Sequence, residues 1–115
     1  MLTMESLRTF GADVDDGLAR CMNKADFYLM LVGKAAEDKK LSLLAEQLRN
    51  KNYGAAFETA HALKGMYANL SLTPLTKPVS EMTELLRSKT DTDYSALMEE
   101  ASAQFTRLCS LCDAD

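Results

Sequence analysis

From Thr59 to Leu75 the chain reads TAHALKGMYANLSLTPL, and at about 100° per residue this stretch sorts into two faces. Leu63, Met66, Tyr67 and Leu70, with Ala56 and Ala60 before them, share one broad side that can be buried. His61, the only histidine of the chain, points almost directly away from Leu63 and Leu70. Around it lie Lys64, Gly65 and Ala68, with Gly54, Phe57 and Glu58 on the preceding turns. The spacing predicts an exposed imidazole on a shallow surface of small residues, with an ammonium one turn ahead. A histidine that only packs would face the other way.

The same period recurs along the chain. Leu2–Phe10 reads as a short helix stopped by Gly11, and Asp13 is placed to cap a second, Val14–Met22. Asn23 is a candidate cap for a helix from Lys24 to about Ala36, whose middle, Phe27–Val32, is apolar almost all round and is expected to be covered on more than one side. Glu37-Asp38 mark a break or a kink before Lys39–Asn50, where Leu41, Leu44, Ala45 and Leu48 form an amphipathic stripe. The two halves could form one long bent helix. After the turn at Asn50–Asn52 comes the Tyr53–Leu70 helix. Thr73 is a credible cap and Pro74 fits the first position of a further helix running to about Ser88. Pro78 either kinks that helix or moves its start to about Lys77. Beyond a polar loop, Ser88–Asp93, a last helix runs to Leu111 with Tyr94, Leu97, Met98, Ala101, Phe105 and Leu108 facing in.

No hairpin signal, internal repeat or low-complexity tract interrupts this pattern. The expected fold is all-α: an antiparallel up-down-up-down four-helix bundle, with the two short N-terminal helices covering one end. At 115 residues, 47% of them hydrophobic, residues 1–115 are expected to form a single helical-bundle domain. Met1 and the compact ends lead us to expect a stand-alone protein, monomeric because the bundle can bury its own stripes.

Composition excludes several classes. The net charge is −4 and the basic residues are scattered, so a nucleic-acid footprint is missing. No apolar run approaches the roughly 18 residues of a membrane span, and the N-terminus lacks the order of a signal peptide. A cytoplasmic protein is expected. Three cysteines, Cys21, Cys109 and Cys112, do not make a disulfide framework. Cys109-x-x-Cys112 lacks a second ligand pair for zinc and the strand–helix setting of a redox site, so packing is its favoured role. No metal site is expected.

The run H-A-L-K-G-x-x-x-N-L, His61 to Leu70, resembles the signature of the histidine-containing phosphotransfer (HPt) domain family. The family's histidine, lysine, glycine and asparagine correspond to His61, Lys64, Gly65 and Asn69, and the likeness extends from about Gly11 to about Leu108. Two positions depart from it: Met66 stands where the family often has a small polar residue, and Ser71 where it often has glycine. The resemblance implies the same helical bundle. It also implies a phosphorelay function, in which His61 takes a phosphoryl group from the aspartate of one receiver domain and passes it to another. The ring nitrogen used in the family is the one distal to the backbone. The implied partners are response-regulator receiver domains and a hybrid histidine kinase, with Mg²⁺ on the receiver and no cofactor on this chain.

The residues agree with that chemistry. A partly neutral imidazole is a nucleophile for an activated phosphoryl group. Lys64 can offset the added charge, and Gly65 and Ala68 lower the surface for an approaching backbone. No Gly-rich phosphate loop is present, so neither ATP binding nor autokinase activity is expected. Glu58, one turn before His61, either orients the ring or is an ordinary surface glutamate, the reading favoured by the weakness of exposed i, i+3 pairs. Phe57 either anchors a receiver helix or leans sideways into the bundle. Asn69 is expected to tie the end of its helix to the next loop. The alternative function is a receiver-docking module of the same fold that carries no phosphate. A histidine-based hydrolase lacks a nucleophile–base–orienter set.

Overall fold

The computed structural model describes residues 1–113; the last two residues of the expected 1–115 domain lie outside the described residues. Every regular element among the described residues is an α-helix.

Helix α1, Met4–Phe10, starts at Thr3 through a capping box: the Ser6 N–H donates to Thr3 Oγ1 at 3.0 Å and the Thr3 N–H to Ser6 Oγ at 2.9 Å. It stops at Gly11, whose φ of +112° only glycine adopts freely. Helix α2, Val14–Arg20, is capped by Asp13, as expected, but ends two residues before Met22. The cause lies in Met22 and Asn23, both left-handed at φ 58° and 59°. Asn23 is therefore part of a turn and does not cap helix α3, Ala25–Glu37, whose cap position is Lys24 with no side-chain bond.

Helix α3 also corrects the expectation for Phe27–Val32. Tyr28 and Val32 are buried, but Phe27 is 39% and Met30 47% exposed, so the segment is covered on one side only. At Asp38 the backbone turns extended (ψ 136°) and the carboxylate accepts from the Lys40 N–H at 2.8 Å. This Asx-type bond offers the chain an alternative to continuing the helix. Helix α4, Lys40–Arg49, is thus a separate element rather than the second half of one bent helix.

Asn52 caps helix α5, Tyr53–Asn69, by accepting from the Ala55 N–H. In helix α6, Thr73–Arg87, the cap position falls on Leu72, so Thr73 is already helical and Pro74 occupies the second position. Pro78 lies inside α6 and is buried; the helix neither starts there nor ends there. Its missing N–H leaves the Pro74 carbonyl without its usual helical partner. Helix α7, Ser95–Asp113, closes the chain.

Helix α5 lies between α4 and α6, and α7 packs on α6 and α3. Ala56 and Ala60 on α5 are fully buried beside Leu63 and Tyr67, and their small side chains let neighbouring helices approach closely. Leu75, Val79, Met82 and Leu86 of α6 meet them in one continuous core with Ala101 and Leu108 of α7. Helix α1 touches α2 and α7: the Arg107 guanidinium donates to the Phe10 carbonyl at 3.3 Å and lies over its ring.

The turn from α5 to α6 is held from both sides. The Tyr28 hydroxyl donates to the Leu70 carbonyl at 2.7 Å, and the Asp13 N–H to the Ser71 carbonyl at 3.0 Å. Tyr28 in turn dictates Gly17, where a Cβ would stand 2.6 Å from the tyrosine ring. These bonds fix the end of α5 and hence the register of its outward face.

Candidate functional site

The outward face of α5 follows from the burial of the opposite one. Once Ala56, Ala60, Leu63 and Tyr67 are in the core, the 3.6-residue period turns Gly54, Glu58, His61 and Gly65 to solvent. All four are exposed, with Phe57, Lys64 and Ala68 half-buried along the margins.

The ring of Phe57 stacks on that of His61, with centroids 5.8 Å apart and planes at 27°. Phe57 is half-buried and packs against the core, so it leans sideways into the bundle while its ring supports the imidazole. Lys64 Nζ lies 3.9 Å from Glu84 Oε2 on α6. The same carboxylate oxygen accepts from Arg87 Nε at 3.3 Å, and the Arg87 guanidinium lies 5.2 Å from the centroid of Phe57. The site is therefore built from two helices. Glu84 and Arg87 were missed by sequence reasoning. The local signal was their i, i+3 spacing on the polar side of α6, but nothing in the sequence joins that pair to Phe57 and Lys64.

Glu58 is exposed, and among the described residues it makes neither a hydrogen bond nor an ion pair to His61. Gly65 sits mid-helix, where a Cβ would meet no atom of the chain within 4 Å. Internal packing does not require a glycine there, although glycine weakens a helix by up to about 1 kcal/mol relative to alanine.

Asn69 is exposed, and its side chain makes no hydrogen bond among the described residues, so the expected tie to the next loop is not formed. Ser71 does that work. Its φ of 55° is the left-handed conformation that glycine adopts without strain. The strain on a serine is offset by its hydroxyl, which donates to Asp16 Oδ2 at 2.6 Å, and by its carbonyl, which accepts from Asp13. The Ser71 bond, followed by Arg20, holds the Asp16 carboxyl below its ordinary pKa. Met66, the other departure, is half-buried against the core.

Away from this face, Cys109 and Cys112 are half-buried free thiols, and Cys109 Sγ donates to the Ala36 carbonyl at 3.5 Å. Burial raises both thiol pKa values, which lowers the thiolate fraction and with it the reactivity. Among the described residues no group of three or more His, Cys, Asp or Glu side chains could hold a metal ion, and no helix is long and apolar enough to cross a membrane.

A family model described as the Hpt domain matches residues 29–114, well over half of the chain and the whole of α4, α5, α6 and α7. The chain belongs to the Hpt domain family. Hpt domains are phosphocarrier modules, not kinases; they work in two-component phosphorelays with receiver domains and histidine kinases. The match starts within α3, so α1 and α2 precede the matched residues. Comparison with curated proteins and with solved structures gave no match.

Proposed function

We propose that this Hpt protein carries a phosphoryl group on His61 between receiver-domain aspartates. The observation that carries the reading is the outward placement of its single histidine on α5, one turn before Lys64, inside the segment matched by the family.

In the loading step the lone pair of the distal ring nitrogen, Nε2, attacks the phosphorus of a receiver's aspartyl phosphate. An N–P bond forms, the P–O bond to the aspartate breaks, and the carboxylate leaves with that electron pair. Unloading is the reverse, with a second receiver's carboxylate as nucleophile. Such transfers depend mainly on positioning and charge neutralisation. Phe57 limits the orientations of the imidazole. Lys64 neutralises phosphoryl charge. Gly65 and Ala68 leave room for the partner's backbone, with Phe57 and Glu58 at the edge of the docking surface. Mg²⁺ belongs to the receiver.

The adjacency of α4, α5, α6 and α7 supports an antiparallel up-down-up-down bundle, with α3 and α4 forming one interrupted arm and α1 and α2 covering an end. A cytoplasmic monomer fits the burial of the helix stripes and the receiver partners.

The test is transfer from a phosphorylated receiver domain. The carrier reading predicts an acid-labile, base-stable adduct that is absent in His61→Gln while receiver binding persists. Binding without any adduct across several receivers would point to the docking module instead.

A further inference from the structure

Glu84 links Lys64, one turn after His61 on α5, with Arg87, which lies over the Phe57 ring. A single oxygen, Oε2, lies 3.9 Å from Lys64 Nζ and 3.3 Å from Arg87 Nε. The three side chains are 35%, 58% and 51% exposed for Lys64, Glu84 and Arg87. Ion pairs so exposed add little to stability, so the cluster is a poor structural clamp. It does give the two cations a common, easily released partner. Lys64 is held one turn from His61 on the same helix. Arg87 is held over Phe57, whose ring stacks on the imidazole.

We infer that Glu84 is a positioning residue for the phosphoryl carrier, pairing Lys64, one turn from His61, and Arg87, over Phe57, until the phosphoryl group competes for them. The inference rests on the reading of His61 as the carrier. A phosphoryl group brings more negative charge than one carboxylate and three strong acceptor oxygens. Arginine presents a planar fork suited to such an oxyanion, and lysine a point charge on a flexible stem. Because the pairs to Glu84 are solvent-screened, releasing them costs little. Loading must displace the carboxylate from both cations, and this competition keeps the phosphohistidine easy to discharge. Glu84 thus sets how far transfer proceeds, as well as where the cations wait.

The experiment measures the equilibrium constant for phosphoryl transfer from one receiver domain to the wild type, Glu84→Gln and Glu84→Asp, at low and at high salt. Glu84→Gln is expected to shift the equilibrium toward this protein roughly two- to fivefold at low salt. The shift should shrink in about 0.5 M salt. Glu84→Asp, which keeps the charge, should stay near the wild type, and the urea midpoint of Glu84→Gln should match the wild type because the side chain is exposed. In a Lys64→Gln/Arg87→Gln background the effect of Glu84→Gln should fall. A full-size effect there means simple repulsion and overturns the holding role. Transfer to the wild type with an unchanged constant in Glu84→Gln overturns the role of Glu84 and leaves the carrier reading intact. Absence of transfer to the wild type overturns both.

Discussion

Phe57 and His61, one turn apart on α5, lie ring against ring with centroids 5.8 Å apart, and the imidazole is the more exposed of the two. The stack restricts the histidine without covering it, since His61 remains exposed. A nucleophile that must meet protein partners needs both properties: a limited set of orientations and open access.

Replacing the stacking ring should therefore affect the chemistry more than the fold. Phe57→Leu keeps apolar bulk at a half-buried position and loses the aromatic contact, worth about 1 kcal/mol. Phosphoryl transfer at His61 is expected to slow roughly fivefold, the equivalent of about 1 kcal/mol, with receiver affinity little changed. Rapid-mixing transfer kinetics alongside a binding titration would show the split. An unchanged rate would mean that the stack does not position the ring.

Gly65→Ala separates packing from docking. A Cβ there meets nothing within the chain, so the variant should be as stable as the wild type or more so by about 0.5–1 kcal/mol, the helix preference for alanine. Receiver binding should weaken if a partner backbone occupies that space. Urea unfolding and a receiver titration together check it; a stable variant with unaltered affinity would remove Gly65 from the docking surface.

At the α5–α6 turn, Ser71→Ala keeps the left-handed residue and loses the bond to Asp16, whereas Ser71→Gly loses the bond and relieves the strain. Thermal unfolding should rank Ser71→Ala below both the wild type and Ser71→Gly. Asp16 has a depressed pKa in the folded protein because Ser71, then Arg20, bond its charged form. Its contribution is complete above the ordinary carboxylate pKa of 3.8 and is lost as the pH falls through the lower folded value. The acid side of the stability profile below about pH 4 should therefore flatten in Ser71→Ala.

Tyr28 gives the opposite limb. Burial, the first cause, pushes its hydroxyl up from 10.0 to about 12. The neutral phenol is the form the fold accommodates, so its contribution is whole below pH 10 and declines as the pH rises toward 12. Tyr28→Phe leaves the Leu70 carbonyl without its donor and should cost about 1–2 kcal/mol at neutral pH while softening the alkaline decline. Denaturant curves at pH 7 and pH 11 would measure both effects.

Much of this was legible in the chain. The two faces of α5 could be read because burial on a helix is set by spacing within one element, and so His61, Lys64 and Gly65 fell on the outside. The start at Asp13 and the stop at Gly11 were visible because caps are local, whereas Asn52 was read only as part of a turn and its capping role came from the structure. Asn23 and Thr73 misled because a capping residue type does not choose its own backbone: Asn23 was used in a left-handed turn, and Leu72 took the position before α6. The exposure of Phe27 and Met30 was hidden because an apolar segment does not say what lies opposite it. The cluster of Glu84 and Arg87 around Phe57 and Lys64 depends on how α6 lies against α5, and no periodicity within either helix encodes it.

The central claim has a direct readout because the chain contains one histidine. With the imidazole nitrogens labelled with ¹⁵N, the protein would be phosphorylated by a phosphorylated receiver domain and its ring followed by NMR alongside ³¹P. The account predicts a phosphorus signal coupled to Nε2 of His61, a matching change in that nitrogen's shift, and loss of both signals when a second, unphosphorylated receiver is added. A phosphoryl group found on any other residue, or a His61 ring left unmodified while the receiver binds, would contradict it.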